Sequence, residues 1–447
     1  MVPQQEILTE PRPTILERAL AATLLAVLLL INVALIDFSI ADFPVRGMAA
    51  IALLGAAILI YPARVLAVVR QHSLLLWLTA GFAFLGAFVS FANGTEFSLV
   101  WQGLMEVPLQ VAVTVIIASV LVQIAGVGAG IWVIAAVIGG SALVAVLQFM
   151  GLDAAWQLRE WLGNLQGLSR SEPVINRRPM GISFSPIQLS TQLCVAFAVF
   201  AAARDRLGST AESKAPADPL ILFALAVLVV GSLVTLTRSP ILGAAIFLVF
   251  YTLLRPGTWL VFGGLLAVVA IYLIGPYILD LVQQSAPRVI RTDDGSVMAR
   301  ASMNTFGLML FADNPLGYGY AFRPGDHWTR FWQELQYTPS PDAAADKELH
   351  NYLLNMLNTY GIGLLLILPL VVVLLKRAQP VLIFFIPYIV HILFHNSGPF
   401  WTDIPFWFGV AVLSALPRHV QPDDEYVEYA MDEDGRNRAS RARTAAG

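Results

Sequence analysis

The sequence predicts an all-α polytopic membrane protein with about twelve transmembrane helices. Hydrophobic residues make up 57% of its 447 positions, charged residues make up only 13%, and the mean hydropathy is +0.71. A soluble chain of this length could not cover so much apolar surface, because a protein interior grows too slowly with chain length. The recurring apolar runs are long enough to cross a hydrocarbon core of about 30 Å. We therefore expect a lipid bilayer as a partner and no nucleic acid.

The apolar runs set the predicted order of the helices. They fall at 19–36, 47–63, 73–92, 107–125, 129–150, 184–203, 219–236, 239–254, 258–279, 351–375, 379–395 and 404–416. Lysines and arginines of the short loops then lie mostly on the side of the N-terminus, so both termini are predicted to be cytoplasmic. The first run lacks a small-residue cleavage site close behind it, which favours a retained helix over a signal peptide. The single cysteine, Cys194, excludes an intrachain disulfide.

Polar segments separate and flank the predicted helices. The first nine helices occupy 19–279 and the last three occupy 351–416. The other segments are a cytoplasmic N-terminus at 1–18, a periplasmic loop at 151–183, a cytoplasmic linker at 204–218, a large outer loop at 280–350 and a disordered cytoplasmic tail at 417–447. The tail is predicted to be disordered because it has too little apolar surface to fold.

The large outer loop, residues 280–350, has its own pattern. Residues 296–313 read as an amphipathic helix, and Leu316-Gly317-Tyr318-Gly319 reads as a turn. Three aromatic residues then share one face of a short segment: Trp328, Phe331 and Trp332. Aromatic side chains are typical of the membrane–water boundary, so we expect the loop to lie on the outer leaflet as a lid.

A histidine marks the junction between the outer loop and the tenth predicted helix. His350 follows a polar block and precedes a long apolar run. An imidazole with an ordinary pKa of about 6.5 can accept a proton at neutral pH, which makes His350 a candidate general base. The structural alternative is a helix N-terminal residue that bonds water or backbone.

Arginines near the outer surface are the second set of candidates. Arg177 and Arg178 end the loop at 151–183, Arg238 lies in a tight turn between two apolar runs, and Arg300 lies on the amphipathic loop helix. A guanidinium presents a planar fork that fits phosphate oxygens, so these residues predict a lipid phosphate or diphosphate ligand. The alternative is that arginines at helix ends extend to lipid headgroups. Arg238, between two hydrophobic spans, favours the ligand.

Two polar stripes enter the predicted membrane helices. Asn351, Asn355 and Asn358 recur at helical spacing, and Ser185, Gln188 and Gln192 form a similar stripe on the sixth helix. They predict either interhelical hydrogen bonds or a polar cleft for sugar or phosphate. Among these residues, Asn351, Asn355 and Gln188 are the cleft candidates.

His391 and His395 are four residues apart on the eleventh predicted helix, a spacing that metal sites also use. A zinc site needs three or four ligands, and no cysteine or glutamate lies close in sequence to complete one. We therefore expect no metal here. Nucleotide-binding loops, serine nucleophile elbows and zinc motifs are absent from the sequence.

Several motifs resemble those of one family in their order and spacing. Arg300 is followed by Pro315 and the Gly317–Gly319 turn, and the loop closes on His350-Asn351 before a glycine-containing helix at 360–364. Upstream lie Arg178-Pro179-Met180-Gly181 and the turn Thr237-Arg238-Ser239. Together these segments, over about 178–364, resemble the O-antigen ligase and polymerase superfamily of bacterial envelope glycosyltransferases.

The resemblance implies a GT-C-like membrane glycosyltransferase in the bacterial inner membrane. Its donor would be an undecaprenyl-diphosphate-linked glycan, its acceptor a glycan or lipid A-core sugar hydroxyl, and it would need no cofactor and no metal. His350 would take the acceptor's proton while the anomeric carbon is inverted, with Arg238 assisting catalysis. Arg178, Arg238 and Arg300 would bind the diphosphate.

Two other classes of function stay open at the level of sequence. About twelve helices also fit a transporter or flippase, although such proteins often show paired halves and ionisable residues at the midplane. This sequence has no internal repeat, and its charged candidates lie at the outer edge. A non-catalytic component of a polysaccharide export system would use the same fold with His350 as a helix cap.

Overall fold

The computed structural model describes residues 13–40, 43–167, 178–208, 219–254, 295–345, 348–401 and 403–416. This part of the chain is almost entirely helical, as the sequence predicts. Its only strands form a two-residue antiparallel ladder between Ser39–Ile40 and Phe43–Pro44. The all-α prediction therefore agrees with the described residues.

Eleven helices precede the outer loop in the described part of the chain. They are α1 Ile15–Ala34, α2 Val45–Ile60, α3 Pro62–Gln71, α4 Ser73–Ala92, α5 Phe97–Leu104, α6 Gln110–Ala125, α7 Val127–Phe149, α8 Asp153–Leu165, α9 Pro186–Gly208, α10 Pro219–Val234 and α11 Ser239–Leu254. Local sequence sets their ends. Thr14 begins α1 with a reciprocal capping box to Glu17, which satisfies two backbone N–H groups that the helix itself leaves unpaired.

The outer loop and the C-terminal helices complete the described chain. They comprise α12 Gly295–Asp313, a 3-10 segment Pro324–Phe331, α13 Trp332–Leu335, a 3-10 turn Pro341–Ala344, α14 Tyr352–Tyr360, α15 Leu364–Leu382, α16 Ile386–Leu393 and α17 Ile404–Ser414. Short 3-10 turns at Gly361–Gly363 and Ile383–Phe385 join α14 to α15 and α15 to α16.

Six helices of the described residues are long and apolar enough to cross a membrane. They are Ile15–Ala34, Ser73–Ala92, Phe97–Ala125, Val127–Phe149, Pro186–Arg206 and Tyr352–Gln379. The pair α2 and α3, bent by 117°, would make a seventh. Four shorter apolar helices, α10, α11, α17 and Ile383–Leu393, also lie at predicted spans. The ninth predicted helix, 258–279, lies outside the described residues, so the count of twelve stays a prediction.

One predicted boundary differs because of a proline. The fourth span was expected at 107–125, but the helical rod begins at Phe97. Pro108 cannot donate a backbone hydrogen bond, and the rod accommodates it in a π-helical segment, Met105–Leu109, between α5 and α6. The proline therefore lies inside the rod rather than near its start.

Burial separates central helices from peripheral ones. The most apolar windows of Phe97–Ala125 and α9 are 72% and 78% buried, whereas that of α1 is 28% buried. Peripheral helices instead expose large apolar side chains, including Leu59, Trp77 and Trp132. A soluble protein rarely exposes so much apolar surface, and lipid would cover it here.

The outer loop carries a small apolar core of its own. Phe306 and Leu310 of α12 are fully buried against Leu335 and Leu349, and Trp328 and Phe331 pack on the same cluster. The predicted helix at 296–313 is observed as α12. Two of the aromatic residues expected at the membrane surface therefore pack inside the loop, because the 3-10 turns fold them back onto α12.

Two close contacts hold the outer loop on the helical bundle. Tyr320 fills a slot beside Gly86 of α4 and Gly103 of α5, where a Cβ atom would overlap its ring. Gly317 and Gly361 both adopt positive φ and let the loop turn lie directly on the start of the 3-10 segment after α14. The backbone N–H of Ile362 donates to Pro315 across this contact at 2.8 Å.

Candidate functional site

His350 lies where the outer loop returns to the bundle. The next residue, Asn351, caps α14 by accepting a hydrogen bond from the Leu354 backbone N–H at 3.2 Å. Asn396, in the loop after α16, donates to the Glu348 carboxylate. These bonds place the half-buried His350 ring 6.5 Å, centroid to centroid, from the ring of His395.

His395 belongs to a buried histidine–serine network formed by Thr191, Ser239, His391 and His395. The Ser239 hydroxyl lies 2.8 Å from His391 Nδ1 and 3.1 Å from His395 Nε2. His391 Nε2 lies 2.9 Å from the Thr191 hydroxyl of α9. The network therefore ties together α9, α11 and the end of α16.

Arg238 occupies the turn between α10 and α11, immediately before Ser239. Its carbonyl oxygen accepts from the backbone N–H groups of Ile241 and Leu242, both at 3.1 Å, so Arg238 begins α11. The turn contains Leu236 with φ of +57°, a conformation unfavourable for a side chain with a Cβ atom. Such strain persists only where neighbouring contacts hold the backbone, and the Ser239 bonds are contacts of that kind.

Arg178 reaches the same turn from the other side. Its guanidinium Nη2 donates to the Thr235 carbonyl at 3.5 Å. The segment that carries it is fixed by Gln148 of α7, whose Oε1 accepts from the backbone N–H groups of Met180 and Gly181, both at 2.9 Å. Arg178 thus lies beside the Arg238 turn on a well-anchored backbone, whereas Arg177 lies outside the described residues.

Positive groups converge on the histidine–serine network. Arg178, Arg300 and His350 all interact electrostatically with His395, and Arg300 also interacts with His391. Arg238 is covalently adjacent to Ser239 of the network. We call Arg178, Arg238, Arg300 and His350 the outer cationic cluster. The structure therefore brings together four candidates that are 172 positions apart at their extremes in the sequence.

The side chains of the asparagine stripe, Asn351, Asn355 and Asn358, form hydrogen bonds with backbone groups. Asn355 donates to the Leu349 carbonyl at 2.8 Å, and Asn358 donates to the Gly307 carbonyl of α12 at 2.9 Å. Asn351 caps α14 itself. Of the three side chains, Asn358 makes the interhelical hydrogen bond that the sequence left open as one alternative, whereas Asn351 and Asn355 bond backbone close to their own helix.

Gln188 lines a small buried cavity next to the network, together with Thr191, Gln192, Ser397 and Asp403. Asp403 caps α17 and accepts a hydrogen bond from the Tyr388 hydroxyl at 2.7 Å. Burial raises the pKa of the Asp403 carboxyl to about 6, a rise that the Tyr388 bond opposes. The Gln188 candidate thus shares a cavity with Thr191 of the histidine–serine network, and no residue of the outer cationic cluster lines that cavity.

The residues around His391 and His395 bond one another rather than forming a ligand set. Within the described ranges, the structure holds no group of three or more His, Cys, Asp or Glu side chains placed to bind a metal ion. The spacing of four residues instead allows both imidazoles to meet one hydroxyl. Ser239 and Thr191 cannot be recognised as site residues from the sequence, because a hydroxyl in an apolar helix does not reveal which distant side chain it bonds.

The geometry can do two kinds of chemistry. A half-buried imidazole can accept a proton, and guanidinium groups held on separate helices can bind an anion that bears several oxygens. Residues 223–369 match the O-antigen ligase family. This match covers about a third of the chain, includes Arg238, Arg300 and His350, and confirms the resemblance to the O-antigen ligase and polymerase superfamily. No curated protein matches the chain.

The superfamily match and the apolar helices support the same class of protein. The described residues have the apolar helices of a multi-pass membrane protein, and the segment 223–369 is similar to O-antigen ligases. Arg178 lies upstream of the matched segment, and the hydrogen bond to Thr235 brings it against that segment. His391 and His395 lie downstream of it and reach it through Ser239.

Proposed function

We propose that this protein is a membrane glycosyltransferase that transfers or polymerises an undecaprenyl-diphosphate-linked glycan at the periplasmic face of the inner membrane. The observation that carries the proposal is the outer cationic cluster. Arg178 and Arg300 act electrostatically on His395, whose ring lies 6.5 Å from the ring of the candidate base His350. Such a site suits a reaction in which a diphosphate leaves.

In the proposed reaction, His350 accepts the proton of an acceptor sugar hydroxyl. The hydroxyl oxygen forms a bond to the anomeric carbon of the donor as the bond from that carbon to the diphosphate oxygen breaks. The electron pair of the broken bond leaves with the diphosphate, and a single displacement inverts the anomeric carbon. The proton is held on the imidazole until it passes to solvent or to the diphosphate.

The arginines have a distinct role in this reaction. Negative charge grows on the diphosphate as it leaves, and cations fixed in advance stabilise that charge most where water is scarce. Arg238 and Arg178 lie at one turn, and Arg300 approaches from the outer loop, so a diphosphate between them would be bound from two sides. Because the arginines supply the positive charge, the proposed reaction requires no metal ion.

Transfer by the purified protein tests the proposal. The assay uses vesicles that contain the protein, a synthetic undecaprenyl-diphosphate oligosaccharide and a sugar acceptor, with the products separated by chromatography. We expect His350→Ala and Arg238→Ala to lower the rate by about 10²- to 10⁴-fold, the range for losing a general base or an electrostatic contact. Arg323→Ala, an exposed arginine of the same loop, is the matched control and should retain activity.

Two further measurements complete the test. NMR of the product gives the anomeric configuration, which should be opposite to that of the donor, and activity should persist with a chelator. If His350→Ala transferred glycan at the normal rate with equal protein, the enzyme proposal would be wrong. In cells, loss of all lipid-anchored chains on deletion indicates a ligase, single-repeat chains indicate an O-antigen polymerase, and loss of secreted polymer alone indicates an exopolysaccharide polymerase.

A further inference from the structure

A second cleft lies on the outer loop, away from the outer cationic cluster. It has a volume of about 500 Å³ and opens between the C-terminal end of α12, the following turn and the loop after α4. Asp313, at the end of α12, is one of its walls. Arg300 lies thirteen residues earlier on the same helix, so Asp313 is about 20 Å along α12 from Arg300 at 1.5 Å per residue. None of the four residues of the outer cationic cluster lines this cleft, so it is distinct from the proposed site of glycosyl transfer.

One wall of the cleft is aromatic. The ring centroid of Tyr318 lies 4.6 Å from that of His327 and 5.1 Å from that of Phe322. Tyr318 and His327 are half-buried, and Phe322 is buried but also lines the cleft. The Tyr318 and Phe322 rings are stacked at an interplanar angle of 19°, and the His327 ring is tilted by 51° to that of Tyr318, so the aromatic wall is angled. A pyranose ring has an apolar face of C–H groups, with hydroxyls around its rim.

The other wall supplies hydrogen-bonding groups without net charge. Arg330 forms an ion pair with the Asp313 carboxylate, and the Tyr318 hydroxyl donates to the same carboxylate at 3.2 Å. Burial, aided by the Asp313 charge, raises the pKa of Tyr318 to about 12, so the phenol stays protonated. Because Asp313 neutralises Arg330, this wall favours a polyhydroxylated neutral ligand over a phosphate.

The cleft is held rigidly. Asn93, from the loop after α4, donates to the Gly317 carbonyl at 3.0 Å, and Asn314 donates to the same carbonyl at 2.7 Å. These bonds attach the floor of the cleft to the membrane helices. A preformed cleft loses little conformational entropy on binding, as is usual for ligand sites of this size.

We propose that this cleft binds a neutral saccharide segment of the glycan, at a distance from the bond that is made. The sugar ring packs in the angle between the tilted rings of Tyr318 and His327, and Asp313, Arg330 and Asn93 bond its hydroxyls. A glycan whose reacting end lies at His350 would extend along α12 and reach the cleft after several sugar units. Which glycan is bound rests on the proposed function, but saccharide binding as such does not.

Binding to the purified full-length protein tests this inference. The probes are neutral oligosaccharides of two to eight sugars prepared from the host's surface glycan, free of lipid and diphosphate, and binding is followed by saturation-transfer NMR and titration. We expect saturable binding that His327→Ala and Arg330→Ala each weaken at least tenfold. His350→Ala should bind normally, and so should Arg323→Ala, which removes an exposed arginine outside the cleft.

Three results would overturn the inference. They are the absence of saturable binding, binding that the cleft variants leave unchanged, and displacement of the oligosaccharide by inorganic diphosphate, which would make the cleft an anion site. A thermal unfolding curve for each variant shows that it is folded, and Asp313→Asn, which keeps the side-chain shape, gives a second test of the same wall. Binding lost in Asp313→Asn as well as in Arg330→Ala supports the cleft.

The transfer assay separates this inference from the proposed function. His327→Ala should raise KM for donors with long glycans several-fold, while kcat and the KM for a single-repeat donor stay unchanged. If no transfer occurs in any variant but oligosaccharide binding depends on His327, the glycosyltransferase proposal fails and the saccharide cleft stands. If transfer depends on His350 and long donors are unaffected by His327→Ala, the cleft proposal fails alone.

Discussion

His72 and His395 occupy similar local settings at different ends of the molecule. His72 is 6% exposed, lies just before α4 and places its Nε2 3.0 Å from the Ser119 hydroxyl. His395 is 1% exposed and places its Nε2 3.1 Å from the Ser239 hydroxyl. The outer loop contacts the far end of α4, about 30 Å from His72 at 1.5 Å per residue.

The surroundings of the two histidines differ in charge. Within the described chain, burial alone lowers the pKa of His72 to about 4. His395 is buried as well, and in addition it interacts electrostatically with His391, Arg300, His350 and Arg178. A buried histidine that is hydrogen-bonded to a serine therefore has, by itself, only the structural role of connecting two helices. It indicates a functional site only where other elements bring further ionisable groups to it.

The largest expected effect is the loss of transfer rate on removing an arginine near His395. Arg178→Ala and Arg300→Ala should each lower glycan transfer by about 10²- to 10³-fold, because each removes a cation that offsets charge on the leaving diphosphate. Arg300→Lys should recover only part of the rate, since an ammonium lacks the planar fork. The measurement is initial rate in the vesicle assay at equal protein.

The matched control for this prediction is Arg70→Ala. Arg70 is exposed and lies two residues before His72, so its removal takes a cation from the other histidine's neighbourhood. Activity should be unchanged. Equal losses for Arg70→Ala and Arg300→Ala would contradict the distinction between the two histidine sites.

A smaller effect is expected from the two serines. Ser239→Ala removes the hydroxyl that lies beside both His391 Nδ1 and His395 Nε2. Ser119→Ala removes the nearer of the two hydroxyls beside His72 Nε2, the other being that of Ser414 at 3.4 Å. Each variant should lower the free energy of unfolding by about 1–3 kcal/mol. Ser239→Ala should also lower kcat about tenfold, because Ser239 fixes the turn that carries Arg238. Thermal unfolding in detergent and the transfer rate give the two quantities.

The two serine variants should therefore have different kcat values although their free energies of unfolding are similar. A kcat for Ser119→Ala as low as that for Ser239→Ala would mean that both act through general stability. An unchanged kcat for Ser239→Ala would mean that the histidine–serine network does not position Arg238.

The smallest expected effect is the pH dependence of stability from His72. Its pKa is about 4 in the folded chain and about 6.5 when exposed, so the unfolded chain binds the proton more tightly. The contribution of neutral His72 to the free energy of unfolding is fully present above pH 6.5. It is lost progressively as the pH falls towards 4. Between pH 7 and pH 5 the loss should be on the order of 2 kcal/mol.

His72→Gln isolates this contribution, because glutamine keeps a hydrogen-bonding group and does not titrate. The difference in melting temperature between the native protein and the variant should grow in the variant's favour as the pH falls from 7 to 5. Asp403, whose pKa is raised to about 6, acts in the opposite direction over this range but is present in both proteins. A difference that does not vary with pH would contradict the buried, neutral state of His72.

Much of the fold is readable from local sequence. Apolar runs of helical length predict α1, α4 and α7 within a few residues, because a helix in lipid must satisfy its backbone bonds internally and expose apolar side chains. Prolines and glycines move the observed helix ends away from the ends of the apolar runs. The π-helical segment is set locally by Pro108, although the apolar run alone does not show it. The break at Gly361 lies against the loop turn at Pro315 and Leu316, a contact that local sequence does not record.

The sequence identifies the individual residues of the candidate site but does not show that they lie together. Arg178, Arg238, Arg300 and His350 are individually visible as polar groups at the edges of apolar runs, and the order of the motifs connects them to one family. Nothing local predicts that Ser239 bonds His391 and His395, which lie more than 150 positions later. The metal-like spacing of the two histidines is equally consistent with one shared hydroxyl.

Composition and periodicity by themselves determine that this chain is a helical membrane protein, because apolar side chains in such number need lipid around them. Motif order by itself indicates the resemblance to the O-antigen ligase and polymerase superfamily, which the family match at 223–369 supports. Only the tertiary structure decides that the arginines and His350 converge, that the asparagine stripe bonds backbone, and that the outer loop holds a cleft with an aromatic wall. Those features depend on contacts between segments far apart in the chain, and such contacts follow from packing, which no local pattern of residues records.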